Sequence, residues 1–319
     1  MLEKTMPAKG ANLGVDLGGT KIEAVVLDTQ GEVCWRKRVP TPQQNYDLTL
    51  AVIAQLVSDA KRDTDMASSA PVGIGTPGAL TQNLSTKQWL MKNCNSTALN
   101  GRPLREDLAA LLQCSVFLAN DANCFALAET LSGQGKQLFP DDPPETVFGV
   151  ILGTGVGGGI VVRGKVLQGA NAIAGEWGHN PLSTQCLNID GERPCYCGRV
   201  NCIETFLSGP GLTVSYQMEF GYALSPEQII QAMRQGDANA VSICNQYRQQ
   251  LALSLAQVVN VMDPSLIVLG GGMSTIPELI QEITSVMKSY VFSDRFATPV
   301  VAAQLGDSAG GIGAAWLTR

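Results

Sequence analysis

The chain has 319 residues, 45% of them apolar, which suits two packed domains better than a single core. Its formal net charge is −6 with 16% charged residues and no basic block, which excludes the electrostatic footprint of a nucleic-acid binder and favours a small, neutral substrate. No apolar run approaches the roughly 20 residues that span a bilayer, and residues 1–10 lack an apolar signal core, so a cytoplasmic chain is expected whose nine cysteines are thiols or metal ligands.

In chain order, residues 13–27 alternate as strand, glycine turn and strand, and a third strand is expected near 33–38. A helix is expected over 48–61, a buried strand at 72–74 ending in the loop Gly75-Thr76-Pro77-Gly78, a helix over 104–112, a strand at 116–119 and a helix over 124–131. The opening pattern then returns: Gly14-Val15-Asp16-Leu17-Gly18-Gly19-Thr20 is echoed by Gly149-Val150-Ile151-Leu152-Gly153-Thr154-Gly155. Both copies read strand, glycine turn, strand, which suggests a duplicated α/β domain with one phosphate-facing hairpin per half and a cleft shared by the halves. Residues 182–200 lose periodicity and gather Cys, Gly and Asn, as an irregular insertion would. Helices are expected at 226–234 and 242–262, a strand at 266–269 ending in Gly270-Gly271-Gly272, and helices at 278–290 and 311–317.

Three loops place glycines directly after short apolar strands, where bare backbone amides can approach phosphate oxygens. The first adds the Thr20 hydroxyl and the Lys21 charge, and Asp16 beside it makes sense as a Mg²⁺ ligand, direct or through water. Gly153 to Gly158 matches G-x-G-x-x-G, but the β-rich Ile160-Val161-Val162 follows where a dinucleotide site needs a helix. Gly159 to Lys165 resembles a Walker A loop but ends in Val166 instead of Ser or Thr, so both standard motifs are rejected. A single glycine loop is more simply a β-turn; three together favour phosphate.

Asn120-Asp121 runs from a strand into a helix. Both residues suit a helix N-cap, and Asp121 equally suits a general base for a hydroxyl nucleophile, with Asn120 on neighbouring hydroxyls. His179 is the only histidine, and Cys195, Cys197 and Cys202 follow it; one imidazole and three thiolates would close a tetrahedral structural zinc site. The alternative is three reduced thiols beside a hydrogen-bonded histidine. Cys186 fits no ligand role, and the remaining five cysteines sit in or beside apolar runs. Glu176 and Glu204 flank these positions, either as solvent-exposed or salt-linked groups or as acceptors for sugar hydroxyls.

The segments Asp16-Leu-Gly-Gly-Thr-Lys21, Gly75-Thr-Pro-Gly78, Asn120-Asp121-Ala-Asn123, Gly153-Thr-Gly155, Gly175-Glu-Trp-Gly-His179 and Cys195-Tyr-Cys-Gly198 through Cys202-Ile-Glu204 together resemble the ROK family of bacterial sugar kinases, within the actin and hexokinase superfamily, over nearly the whole chain. The resemblance implies an α/β fold of two duplicated actin-like, ribonuclease-H-like domains. The first would span 1–120, completed by a helix at about 305–319, and the second 121–304, with a zinc-bound insertion at about 179–204. It implies ATP with Mg²⁺, held by Gly14, Val15, Asp16, Leu17, Gly18, Gly19, Thr20 and Lys21 and by Gly153, Thr154, Gly155, Val156, Gly157, Gly158, Gly159 and Ile160. Gly270, Gly271 and Gly272 would lie by the adenosine. Asp121 would be the catalytic base; Gly78, Asn95, Asn120, Asp121, Glu176, His179 and Glu204 would line the sugar; and His179, Cys195, Cys197 and Cys202 would hold zinc. The partners implied are a small sugar and Mg·ATP, with homodimers among such relatives and neither nucleic acid nor membrane. Asn201 stands where the family usually has Gly, a position needing turn geometry that Asn tolerates. Residues 92–101 and 178–182 look most like bacterial fructokinases, which implies transfer to the 6-hydroxyl of fructose. The alternative is an N-acetylglucosamine kinase or glucokinase of the same family. A sugar-responsive repressor would need a DNA-binding region ahead of the first loop, which begins here at Leu13.

Overall fold

A computed structural model describes residues 10–94, 96–183 and 192–319. The chain divides into two compact units. The first runs through Pro143 and includes Gly159–Ala174 and Gln304–Arg319; the second comprises Pro144–Gly158 and Gly175–Ala303.

The first unit opens with β1 (Asn12–Leu17), β2 (Lys21–Leu27) and β3 (Val33–Pro40), then α1 (Tyr46–Asp63) and β4 (Val72–Thr76). A hairpin of β5 (Ala79–Gln82) and β6 (Trp89–Lys92) follows, then α2 (Leu104–Leu112), β7 (Val116–Asn120), α3 (Asp121–Leu131) and α4 (Gln134–Leu138). The sheet order is β3-β2-β1-β4-β7; β2 is antiparallel to β1 and β3, while β1, β4 and β7 run parallel. Parallel strands are buried on both faces and therefore read as nearly continuous apolar runs. Leu13, Val15, Ile22, Val72, Ile74 and Leu108 form part of the core under this sheet. Asn45 caps α1 by accepting from the Leu48 N–H at 3.0 Å, which starts the helix two residues before the expected Leu48.

Three more strands follow: β8 (Thr146–Leu152), β9 (Val156–Val162) and β10 (Lys165–Val166). The helices α5 (Glu204–Leu207), α6 (Gly209–Phe220), α7 (Pro226–Arg234) and α8 (Ala238–Met262) precede β11 (Leu266–Gly270), α9 (Pro277–Ile280), α10 (Ile283–Met287) and β12 (Val300–Ala302). A second five-stranded sheet has the order β10-β9-β8-β11-β12, with β11 parallel to β8 and β12. Ser225 and Gln228 form a reciprocal capping box at α7, with Pro226 in its first turn, so this helix begins where the sequence predicts.

The chain closes with α11 (Ala309–Trp316), which packs into the first unit. Contact is backbone to backbone: a Cβ on Gly73 of β4 would collide with the Ala314 carbonyl, and a Cβ on Gly313 with the Cys124 carbonyl of α3. The expected domain boundary at residue 120 therefore falls inside the first unit, because α3 is packed against α11 there.

Two expectations change. The helix expected over 278–290 is split into α9 and α10, with Gln281 extended and Glu282 left-handed at φ 61°. Leu279, Ile283 and Met287 are buried at four-residue spacing, so the helical period survives the break and conceals it. The 12-residue α6 was not foreseen: it starts Gly-Pro-Gly, and its cap is the Ser208 hydroxyl accepting from the Gly211 N–H at 3.0 Å. Among the described residues of 182–200, only the isolated bridge Pro194–Val200 appears, as an irregular segment requires.

Candidate active site and metal centre

In the first unit, Asp16, Thr76 and Asn120 end or nearly end the parallel strands β1, β4 and β7. Carboxyl ends of parallel strands are where open α/β sheets bind ligands. The β1–β2 turn is closed by the Gly18 N–H donating to the Lys21 carbonyl at 3.0 Å. It is held from behind by the Thr41 hydroxyl on the Gly18 carbonyl at 2.7 Å and by Gln43 on the Gly19 carbonyl at 3.0 Å. Neither supporting residue was singled out by sequence, because each lies some 20 residues away across a β-pairing. Lys21, expected on phosphate, forms an ion pair with Asp307 at 3.5 Å.

Asn120 takes the N-cap of α3: its side chain accepts from the Asn123 N–H at 2.8 Å. Asp121 is the first helical residue, and its Oδ1 accepts from the Ala122 N–H at 2.8 Å, which leaves Oδ2 for another partner. Asp121 is exposed by surface area, yet enough protein surrounds it for burial to push its carboxyl above the usual range. Its accessible surface decides whether a ligand can reach it. The surrounding protein bears on how readily it takes a proton.

Asp16 is pushed up to about 6, first by burial and then by the negative charges of Asp121 and Glu23, with Lys21 and Arg38 opposing. Glu23 faces Asp16 across the β1–β2 pair and is almost fully buried. Its Oε1 accepts from Arg38 at 2.8 Å, while its Oε2 has no hydrogen-bond partner. A Cβ on Gly310, at the start of α11, would lie 2.7 Å from the Asp16 carboxyl, so Gly310 makes room for that group. Three carboxylates gathered in this way favour a cation, and Asp16 is the group best suited to hold Mg²⁺. Glu23, Arg38 and Gly310 escaped sequence reading because their shared role comes from the strand register and from a helix 290 residues downstream.

In the second unit, the β8–β9 turn at Gly153–Gly155 and the glycines after β11 follow adjacent parallel strands. Gly153 and Gly272 face open space, as a ligand-cradling backbone requires. Gly271 has φ 82° and abuts the Leu152 carbonyl, so a side chain is excluded there. Val156–Ile160, expected on phosphate, lie within β9. A Cβ on Gly158 would lie 2.8 Å from Trp177, whose indole N–H donates to the Gly157 carbonyl at 2.9 Å. Glu204 accepts from the Val156 N–H at 2.9 Å, so one of its oxygens braces the glycine turn.

The lone histidine and three cysteines converge: one donor atom from each of His179, Cys195, Cys197 and Cys202 lies within 4.8 Å of all the others. His179 Nδ1 is 3.6 Å from the Cys195 Sγ, and the Cys197 and Cys202 sulfurs are 3.6 Å apart. A tetrahedral ion with bonds of about 2.0–2.3 Å separates its ligand atoms by roughly 3.5–3.8 Å, so the donor set and its spacing fit zinc. The other histidine nitrogen, Nε2, lies 2.9 Å from the Tyr196 hydroxyl, which orients the ring. Arg199 beside Cys197 lowers its thiol to about 6.

The loop is shaped by exchange between Arg193 and Asn201: each donates its backbone N–H to the other residue's oxygen at 2.8 Å. Asn201 adopts φ 55°, the turn geometry in which Asn replaces Gly. Arg193 is buried with no carboxylate partner among the described residues; it bonds Thr205, Gly211 and Ser215 and stacks 4.0 Å over Phe206, and burial lowers it to about 10. This anchor was missed, since nothing local marks an arginine as buried.

The expected sugar residues divide between the units: Gly78, Asn120 and Asp121 in the first, Glu176, His179 and Glu204 in the second. Asn95 and Cys186 lie outside the described residues. No helix among the described residues is long and apolar enough to cross a membrane.

The profile of the ROK family matches residues 12–319. An N-acetyl-D-glucosamine kinase of Pectobacterium atrosepticum is 38% identical over 308 residues, covering 95% of this chain and 97% of its own. A ROK hexokinase of Thermus thermophilus superposes with a TM-score of 0.81 at 29% identity, covering 96% of this chain and 97% of that one. A ROK glucokinase of Streptomyces griseus, solved with glucose and AMPPNP, gives 0.69 at 28% identity over 96% of this chain and 98% of that one.

Proposed function

The chain belongs to the ROK family, and from that premise we propose that it is an ATP-dependent N-acetylglucosamine kinase. It is a sugar kinase with the actin-like ROK fold, an ATP:sugar phosphotransferase. The observation that carries the sugar assignment is 38% identity to N-acetylglucosamine kinases along 95% of the chain. The fructose expectation rested on residues 92–101 and 178–182. The relatives instead favour the alternative, so fructose is replaced as the leading substrate.

In this reading Asp121 is the base. Its Oδ1 is fixed by the Ala122 N–H, which leaves Oδ2 to take the proton from the attacking sugar hydroxyl. A raised carboxyl is the better proton acceptor, so the direction of its shift supports the role. Asn120, held as a cap, fixes where α3 begins and hence where Asp121 points. Asp16 would hold Mg²⁺, which neutralises phosphate charge when bound. The open turns at Gly19 and Gly153 offer backbone amides to phosphate, and the turn at Gly272 lies ready for the adenosine. His179, Cys195, Cys197 and Cys202 would hold zinc, whose contribution is to fold the 192–202 segment and fix Glu176, His179 and Glu204 for sugar hydroxyls. The need for ATP as phosphoryl donor supports a cytoplasmic location in this reading.

The test is ADP release with N-acetylglucosamine, glucose, mannose and fructose. N-acetylglucosamine should give the highest kcat/KM. A higher value for fructose overturns the sugar assignment, and no release with any of the four overturns the kinase reading of this site.

A further inference from the structure

Tyr196 stands between Cys195 and Cys197, so its backbone is pinned on both sides by residues of the His-Cys₃ cluster. Cys195 is buried while Tyr196 is 77% exposed, which turns the tyrosine side chain out of the protein interior. An exposed tyrosine lacks the packing that ordinarily orders an aromatic ring. What orders this one is His179. The hydroxyl lies 2.9 Å from His179 Nε2, and the two rings meet edge to face with centroids 5.1 Å apart and planes at 85°.

An imidazole has two nitrogens and no other polar atom. His179 Nδ1 faces the cluster, 3.6 Å from the Cys195 Sγ, and Nε2 faces Tyr196. Both nitrogens are therefore engaged, and the histidine has no third group to offer a sugar. A neutral imidazole whose Nδ1 serves the cluster carries its proton on Nε2. That N–H donates to the Tyr196 oxygen, which leaves the tyrosine's own O–H to donate elsewhere.

The surroundings in the second unit give this donor a use. Glu176 heads the turn that ends at His179, whose N–H donates to the Glu176 carbonyl at 3.3 Å. Glu204 follows Cys202 by two residues, and between them the Ile203 N–H donates to the Asn180 carbonyl at 2.9 Å, which ties the two segments side by side. Partial burial of the Tyr196 hydroxyl, and then the charges of Glu204 and Glu176, push it up to about 12, so both carboxylates stand near it. Carboxylates only accept hydrogen bonds, whereas a sugar hydroxyl both donates and accepts. Glu176 and Glu204 alone would leave the lone pairs of such a hydroxyl unmet; the Tyr196 O–H supplies the missing donor.

We infer that Tyr196 is a specificity-determining residue of the sugar site, its O–H donating a hydrogen bond to the oxygen of one sugar hydroxyl while His179 holds it from behind. The inference rests on the sugar-kinase reading and adds a residue to it.

The test compares the purified protein with Tyr196→Phe, which removes only the hydroxyl. Both are titrated calorimetrically with N-acetylglucosamine, glucose, mannose and fructose, then with the monodeoxy derivatives of the sugar that binds most tightly. Loss of one neutral hydrogen bond should raise the Kd of that sugar about three- to tenfold. The penalty should vanish for the one derivative that lacks the accepting oxygen and persist for the others. Zinc content and the Kd of a non-hydrolysable ATP analogue should match those of the parent. An unchanged sugar Kd overturns the contact. So does a penalty of equal size for every derivative, or one that accompanies loss of zinc, since each would mean that the hydroxyl only orients His179. A parent that binds none of the four sugars fails the sugar-kinase reading and takes this contact with it; a parent that binds, matched by its variant, fails the contact alone.

Discussion

Asn120 and Asp121 divide two tasks at the start of α3. Both could cap a helix on paper; in space Asn120 takes the cap and Asp121 is left with one uncommitted oxygen. Asp121→Asn keeps the side chain's shape and removes its basicity. It should lower kcat about 10²–10⁴-fold while sugar affinity, measured calorimetrically, changes little. Full activity in this variant removes Asp121 as the base. Asp16 makes a pH-dependent prediction. Its folded carboxyl is raised from the ordinary 3.8 to about 6, so folding favours its protonated form. Stability from this group is fully present below about pH 4 and is lost as pH rises through about 6. In metal-free buffer Asp16→Asn should therefore gain about 1–2 kcal/mol over the parent at pH 7.5, partial exposure allowed for, and almost nothing at about pH 3. Equal melting differences at the two pH values would show that the carboxylate is not under charge stress.

At the scale of elements, α11 shows how a helix late in the chain completes a unit begun by β1. Its glycines let it touch strand and helix backbones directly, and Gly310 leaves space for Asp16. Gly313→Ala puts a methyl onto the Cys124 carbonyl of α3. Overpacking of this kind should destabilise the protein by about 1–3 kcal/mol or more, read as a lower Tm. An unchanged Tm would mean that α3 and α11 separate easily. Helices with strong caps and one apolar face, such as α7, were legible in the sequence to the residue. By contrast, α6 was not, because its glycine-rich start and its Ser208 cap resemble a loop, and the split of α9 from α10 was hidden by burial at four-residue spacing.

For the whole molecule, each unit carries part of the proposed chemistry: the carboxylates and one glycine turn in the first, and the other glycine turns with the His-Cys₃ cluster in the second. Metal analysis of the purified protein should find about one zinc per chain. Chelation, or Cys202→Ser, should weaken sugar binding before nucleotide binding, because His179 belongs to the cluster and Glu176 stands three residues before it, while the β1–β2 glycine turn lies in the first unit, apart from the cluster. Equal losses for both ligands, or protein free of zinc with full sugar affinity, would remove the metal from this scheme.

The sequence by itself determined the repeated strand–turn–strand units, the residues able to ligate zinc and the acid at the head of α3, since glycine turns, thiols and a strand-to-helix Asn-Asp are chemical types fixed by local spacing. Only the tertiary structure decided which oxygen of Asp121 is uncommitted, that Glu23, Arg38 and Gly310 surround Asp16, that Tyr196 and Arg193 hold the cysteine segment, and that Glu204 braces a backbone turn. Those relations join residues up to about 290 positions apart. Strand register and close helix packing create them, and no local pattern of residue types encodes a distance across the fold.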